Sequence, residues 1–129
     1  MFENAIMPDH EQQRALELMM SGQNVFITGK PGTGKSVVVR WFRELCNNDN
    51  IAFLGPTGLS ALNINGTTIH RFFKLPTAIL PNGFLPTIDD DQDRLMNQVK
   101  TFVIDEISMV RSDVFAAIDA ALRSVAVGQ

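Results

Sequence analysis

The 129 residues predict an α/β fold, a parallel sheet with helices on both faces. Three observations carry that prediction. The apolar run Val25-Phe26-Ile27 is followed by Gly29-Lys30-Pro31-Gly32-Thr33-Gly34-Lys35-Ser36 and then by Val37-Val38-Val39-Arg40-Trp41-Phe42, which reads as strand, glycine-rich turn and helix. A second apolar run, Ile51-Ala52-Phe53-Leu54, reads as a strand that leaves the sheet through Gly55-Pro56-Thr57-Gly58. A third, Thr101-Phe102-Val103-Ile104-Asp105-Glu106, reads as a strand that ends on two carboxylates.

Residues 29–36 fit G-x-x-x-x-G-K-[ST], the phosphate-binding loop, in its expected context between strand and helix. Gly29, Pro31, Gly32, Thr33 and Gly34 are the candidate nucleotide-binding positions of the loop: its glycines let the backbone turn tightly, so that backbone N–H groups and a helix N-terminus converge on phosphate oxygens. Lys35 then reaches the β and γ phosphates, and the Ser36 hydroxyl is a ligand for Mg²⁺. The plain alternative is a glycine-rich turn that binds nothing.

Composition sets the outer limits. With 45% hydrophobic residues the length suits one domain with a core. No apolar run approaches the roughly 18 residues of a membrane span, and Met1-Phe2-Glu3-Asn4 lacks the basic and apolar segments of a signal peptide. No membrane partner is therefore expected, and the protein is expected to stay inside the cell, in the cytoplasm for a bacterial or phage source and in the nucleus or mitochondrion for a eukaryotic one. Cys46 alone excludes an intrachain disulfide and is expected to be a small buried hydrophobe. A net charge of -3 gives no overall electrostatic footprint for nucleic acid, so any such contact is local.

From the start of the chain, Asp9 is a candidate N-cap for a helix carrying Ala15, Leu16, Leu18 and Met19 that Gly22 ends. Gln12, three residues after that cap, fits a capping box. Thr57 leaves a strand carboxyl end, the edge where open α/β sheets place ligand-binding loops. A short helix around 59–63 and a turn at Asn65-Gly66 lead into Thr67-Thr68-Ile69-His70-Arg71-Phe72-Phe73-Lys74, where a threonine caps another short helix. Basic and aromatic side chains interleave there, as single-stranded nucleic acid prefers, although Phe72 or Phe73 could equally belong to the core.

Residues 75–93, with Pro76, Pro81, Asn82-Gly83, Pro86 and Asp89-Asp90-Asp91, read as an exposed loop, its acidic run a solvated surface. An apolar strand finishing on adjacent acids is odd for packing, and a metal site beside the phosphates explains it. Asp105 would hold Mg²⁺, and Glu106 would orient and deprotonate the attacking water, which favours hydrolysis over transfer. Ser112-Asp113 caps a final helix with Val114, Phe115, Ile118, Leu122 and Val125 on its core face.

Taken together, Glu11-Gln12, the loop 29–36, the run Gly55-Pro56-Thr57-Gly58-Leu59-Ser60-Ala61-Leu62-Asn63-Ile64-Asn65-Gly66-Thr67-Thr68-Ile69-His70 and Ile104-Asp105-Glu106-Ile107-Ser108-Met109-Val110 resemble the amino-terminal half of the petite integration frequency helicases. These are RecD-like, superfamily 1, 5′-to-3′ DNA helicases. The resemblance covers about residues 9–120. It implies a partial RecA-like ATP-binding domain over residues 1–129, with DNA-path motifs at 55–73. It further implies that Gln12 reads adenine, that Thr57, Thr67, Thr68, His70 and Phe72 line the path of single-stranded DNA, and that Lys35, Ser36, Asp105 and Glu106 serve ATP and Mg²⁺. Arg111 stands where an acid is common in the family, and Lys30 and Pro31 where small residues are.

Members of that family continue with a Gly-Asp-x-x-Gln-Leu-Pro-Pro type motif and a second RecA-like domain carrying an arginine finger, none of which lies in these residues. The resemblance thus implies an incomplete sheet, lacking the central strand that follows the Asp-Glu motif, with closure by repacking or strand exchange with another copy. Because an arginine finger is worth about 10³ to 10⁵ in rate, these residues alone are expected to bind nucleotide, hydrolyse it slowly and unwind nothing. Two other classes remain open on the sequence: an AAA-type or helicase-loader ATPase, and a non-catalytic nucleotide-binding or oligomerising module. A nucleotide kinase fits less well, because of Glu106.

Overall fold

The computed structural model describes residues 9–28, 34–46 and 50–127, which fall into two compact units, residues 1–48 and 49–129. In the first unit, α1 (His10–Met20) and α2 (Lys35–Leu45) pack together. Asp9 caps α1 in extended backbone, and the full capping box forms: its carboxylate accepts from the Gln12 N–H at 2.8 Å while Gln12 Oε1 accepts from the Asp9 N–H at 3.0 Å. Gly22, at φ 85°, lets the chain leave behind the last turn in a conformation an L side chain rarely adopts. Leu16, Val38, Val39, Trp41 and Phe42 are buried among the described residues of this unit.

Val25-Phe26-Ile27, expected to form a strand, does not: residues 23–28 are irregular and Phe26 is 72% exposed. An apolar run becomes a strand only when a neighbour takes up its N–H and C=O groups, and no strand is present among the described residues of this unit. Cys46, expected to be buried, is half-buried, and its N–H closes the last turn of α2 on the Phe42 carbonyl at 2.9 Å.

The second unit is built on a parallel sheet of order β2-β1-β3, with β1 Ile51–Gly55, β2 Thr67–Thr68 and β3 Thr101–Ile104. Register aligns Leu54 with Thr67 on one side and with Ile104 on the other. The strand bearing the acids is therefore shorter than expected, ending at Ile104, although the Asp105 N–H still donates to the Leu54 carbonyl at 2.9 Å. No strand pairs with the outer edge of β3 among the described residues, which is the edge where the resemblance implies a missing neighbour.

The helices of this unit are α3 (Gly58–Asn63), α4 (Ile69–Phe73), α5 (Asp90–Gln98) and α6 (Ser112–Val127), with a 3-10 turn at Ile107–Met109. Gly66 must be glycine because a Cβ there would lie 2.1 Å from the Phe53 carbonyl oxygen, too close for any heavy atom, so β2 can approach β1 only without a side chain. Leu54 and Ile69 at 0% exposure and Phe73 at 1% lie in the core, which extends over Met96 of α5 and Val114, Ala117, Ile118, Ala121 and Val125 of α6. Phe115, expected on that core face, is instead exposed: the buried positions step from Val114 by 3, 4, 7 and 11, and Phe115 falls one residue, about 100°, off that stripe.

The loop of residues 75–89 is fastened where the sequence reads it as an exposed excursion. Most of the loop does face solvent, Ile79 and Leu85 included, but Leu75 and Leu80 are buried and Phe84 and Ile88 pack against the core. The acidic run is not merely solvated either: Asp89 caps α5 through a capping box with Gln92 and pairs with Lys74 at 2.9 Å.

Candidate functional site

Three parallel strands run the same way, so their carboxyl ends share one edge. Thr57 follows β1, Thr68 ends β2, and Asp105 and Glu106 follow β3. The register places Thr68 beside Gly55, with Asp105 following Ile104, the partner of Leu54 on the other side. Sheet pairing thus brings three of the sequence-predicted motifs to the edge that receives ligands in open α/β sheets.

The turns after β1 and β2 are each held by a threonine cap, whereas the turn after β3 has no side-chain cap. Thr57, itself exposed, caps α3: its hydroxyl oxygen accepts from the Ser60 N–H at 3.1 Å, and the buried Ser60 hydroxyl oxygen accepts from the Thr57 N–H at 3.0 Å. Gly55 keeps that turn close, because a Cβ there would sit 2.4 Å from Ser60 Oγ and 2.6 Å from the Ala61 nitrogen. Thr68 caps α4, accepting from the Arg71 N–H at 3.1 Å, as the sequence predicts for a threonine at this place. Caps of this kind contribute about 1 kcal/mol each, so the turns keep their shape without a ligand.

Thr67, Thr68 and His70 are half-buried, and Phe72 makes an edge-to-face pair with Phe73 at 4.9 Å and with Phe102 at 5.7 Å. The two phenylalanines therefore divide the alternatives: Phe73 is core, whereas Phe72 stands at its margin. Thr67, Arg71, Phe72, Lys74 and Gln92 line one cavity of about 310 Å³. Lys74, which terminates α4 in the left-handed region at φ 53°, is engaged by Asp89. That ion pair holds the Asp89 carboxyl below its usual range, with the Gln92 N–H as the next cause.

Asp105 is half-buried and Glu106 exposed. Glu106 takes φ 51°, uncommon for a residue with a side chain, and turns the chain from β3 into the 3-10 turn. Among the described residues no group of three or more His, Cys, Asp or Glu side chains gathers around a common point. A magnesium ion shared with phosphate oxygens needs only one or two protein oxygens, and the Asp105 carboxylate at a strand end is a hard donor of the right kind.

In the first unit, Gly34 stands at the N-cap of α2 with φ 87°, and no side chain caps that helix. Gln12 Nε2 donates to the Gly34 carbonyl at 3.3 Å. A Cβ on Gly34 would lie 2.3 Å from that same Nε2 and displace it, while the left-handed backbone is what favours glycine here. Lys35 opens α2 and is half-buried. Gly29, Pro31, Gly32 and Thr33 lie outside the described residues, and Ser36 is described only as a backbone position of α2.

Two residues that the sequence reading left without chemistry fasten the 75–89 loop to the start of α6. Asp113, read there as a cap, accepts from the Leu80 N–H at 2.8 Å, and Arg111 donates to Asp113 at 3.0 Å and to the Ala78 carbonyl at 3.3 Å. The Leu80 N–H, then Arg111, hold the Asp113 carboxyl below its ordinary value. No local signal marks this contact, since its partners are 33 residues apart.

A family model described as PIF1-like helicase matches residues 9–128. The ATP-dependent DNA helicase Pif1 of Bdellovibrio bacteriovorus is 38% identical over 116 residues, covering 81% of this chain and 26% of its own length. The ATP-dependent DNA helicase PIF1 of Saccharomyces cerevisiae is 31% identical over 89% of this chain and 14% of its own. A crystal structure of a Pif1 helicase from Bacteroides in complex with ADP-AlF3 and ssDNA matches with a TM-score of 0.82 and 34% identity, over 93% of this chain and 28% of that one. The chain thus spans about a quarter or less of the length of these relatives.

Proposed function

We propose a function from the premise that this chain belongs to the PIF1-like helicase family: it is the ATP-binding part of an ATP-dependent DNA helicase that moves 5′ to 3′ on single-stranded DNA. The observation that carries this reading is the shared sheet edge, where Thr57, Thr68 and Asp105 follow three parallel strands in a chain with a phosphate-loop sequence. The Bacteroides relative whose complex holds ADP-AlF3 and ssDNA supports both ligands.

Lys35 neutralises the β and γ phosphates, and the Ser36 hydroxyl and Asp105 are the protein's ligands for Mg²⁺. Bound magnesium supplies charge neutralisation on the phosphate oxygens. Glu106 accepts a proton from the attacking water. Gln12 reads adenine, and its place in the capping box does not prevent this. An amide offers two N–H donors and two oxygen lone pairs, and Asp9 and Gly34 use one of each. Thr57, Thr67, Thr68, His70 and Phe72 line the single-stranded path, with Phe72 offering an aromatic face for stacking. A second RecA-like domain completes the motor by closing over the nucleotide. Self-association would use the outer edge of β3, whose ladder groups can pair with another strand.

The test measures nucleotide binding to this chain and single-stranded-DNA-stimulated hydrolysis by the intact protein that carries it, each beside Lys35→Ala. Binding that Lys35→Ala abolishes, with hydrolysis stimulated by DNA, is expected. An intact protein that hydrolyses ATP at the same rate with and without DNA overturns the helicase reading.

A further inference from the structure

The segment after Asp105-Glu106 and the helix bearing His70 and Phe72 are joined by more than the sheet. Residues 75–88 form a loop closed at its neck by the Lys74–Asp89 pair, at 2.9 Å, where Lys74 ends α4 and Asp89 begins α5. Compact loops of this length, with their ends together and their own side chains packed inside, are frequently functional. The middle of this one is pinned twice to the start of α6, through the Leu80 N–H on Asp113 and the Ala78 carbonyl on Arg111. Leu80 is 5% exposed, so its backbone cannot shift without withdrawing a core side chain. Asp113 is seven residues beyond Glu106, with the 3-10 turn Ile107–Met109 between them.

Resting on the helicase reading, we propose that Arg111 and Asp113 are positioning residues that couple DNA to hydrolysis: they strap the 75–88 loop, rooted in the DNA-side helix α4, to the segment that follows the hydrolytic acids. A displacement of α4 on DNA binding is carried by a loop that is anchored at both ends and at its middle, and it reaches Glu106 through the 3-10 turn. Neither residue is among those assigned to nucleotide or DNA, so cutting the strap is expected to remove stimulation and leave binding.

The experiment uses the intact protein and reads three quantities for Asp113→Ala and Asp113→Asn: hydrolysis without DNA, kcat at saturating single-stranded DNA, and the DNA concentration for half-stimulation. Asp113→Ala is expected to lower the DNA-saturated kcat about 10-fold, with the other two quantities within about twofold of wild type. Asp113→Asn, which keeps an oxygen for the Leu80 N–H, is expected to recover most of that loss. Wild-type stimulation in Asp113→Ala overturns the proposal, and so does a parallel fall of basal and stimulated rates, which reports lost fold alone. Should Asp113→Ala not fold, Arg111→Ala, whose side chain is 47% exposed, is read against the same outcomes. A wild-type protein without DNA stimulation overturns the helicase reading itself, and the strap falls with it.

Discussion

In the first unit the turn carrying Gly34 is tied to α1 by the Gln12 amide, whereas in the second the turns after β1 and β2 are held by strand pairing, by their own threonine caps and by a core beneath them. The difference follows from what each turn must do. A phosphate loop aims bare N–H groups at a ligand and needs left-handed glycine to do so, so side chains that might satisfy those groups are kept away. The sheet-edge turns present side chains instead, and their backbone can be fully satisfied in advance. Substitutions in the first unit are therefore expected to act through the ligand, and substitutions in the second through stability.

The sharpest way to break that comparison is Phe73→Ala, which removes a ring 1% exposed at the centre of the second unit. A loss of about 3–5 kcal/mol in chemical denaturation is expected; a cost near that of a surface change would show that packing does not hold these turns. Gly34→Ala comes next. The left-handed backbone alone costs about 1–2 kcal/mol, and the new methyl must displace the Gln12 amide, so nucleotide affinity is expected to fall by more than melting temperature suggests. Gln12→Ala removes half of the α1 capping box, for about 1 kcal/mol. If it also leaves discrimination between ATP and GTP unchanged, the adenine role is wrong and the cap is the whole of its function.

The smallest effect is in pH. Asp89 and Asp113 both titrate below their ordinary value, so their folded state releases protons more readily than the unfolded chain. Their stabilisation is present at neutral pH and is lost as pH falls from the carboxylate range through the depressed values. Melting followed from about pH 6 downward is expected to show a decline that Asp113→Asn makes shallower. An identical decline in the variant would remove Asp113 from the account.

Much of the local structure around the candidate site was legible because its signals are local. The Asp9–Gln12 box, the Thr68 cap and the Asn65-Gly66 turn each depend on residues within a few positions, and all form as the spacing implies. The β1 and β3 strands were legible as apolar runs, although β3 stops before its acids. The exposure of most of the 75–89 loop was legible from its prolines, glycine and acids, whereas the burial of Leu75 and Leu80 was not, because no local pattern announces the core they find. Phe115 was misplaced for a subtler reason: small Ala117 and Ala121 let α6 sit close, turning the buried stripe away from it.

By itself the order of residues determined which chemistries are on hand, a glycine-rich phosphate loop, paired acids after an apolar strand and a threonine-rich run, because those depend on residue type and short spacing. Only the tertiary structure decided that Val25-Phe26-Ile27 stays irregular, that Asp113 at the start of its helix also takes the Leu80 N–H, and that Phe72 stands at the margin of the core while Phe73 fills it. A backbone group takes the partner that folding brings to it, and a side chain is buried only where other side chains leave it room.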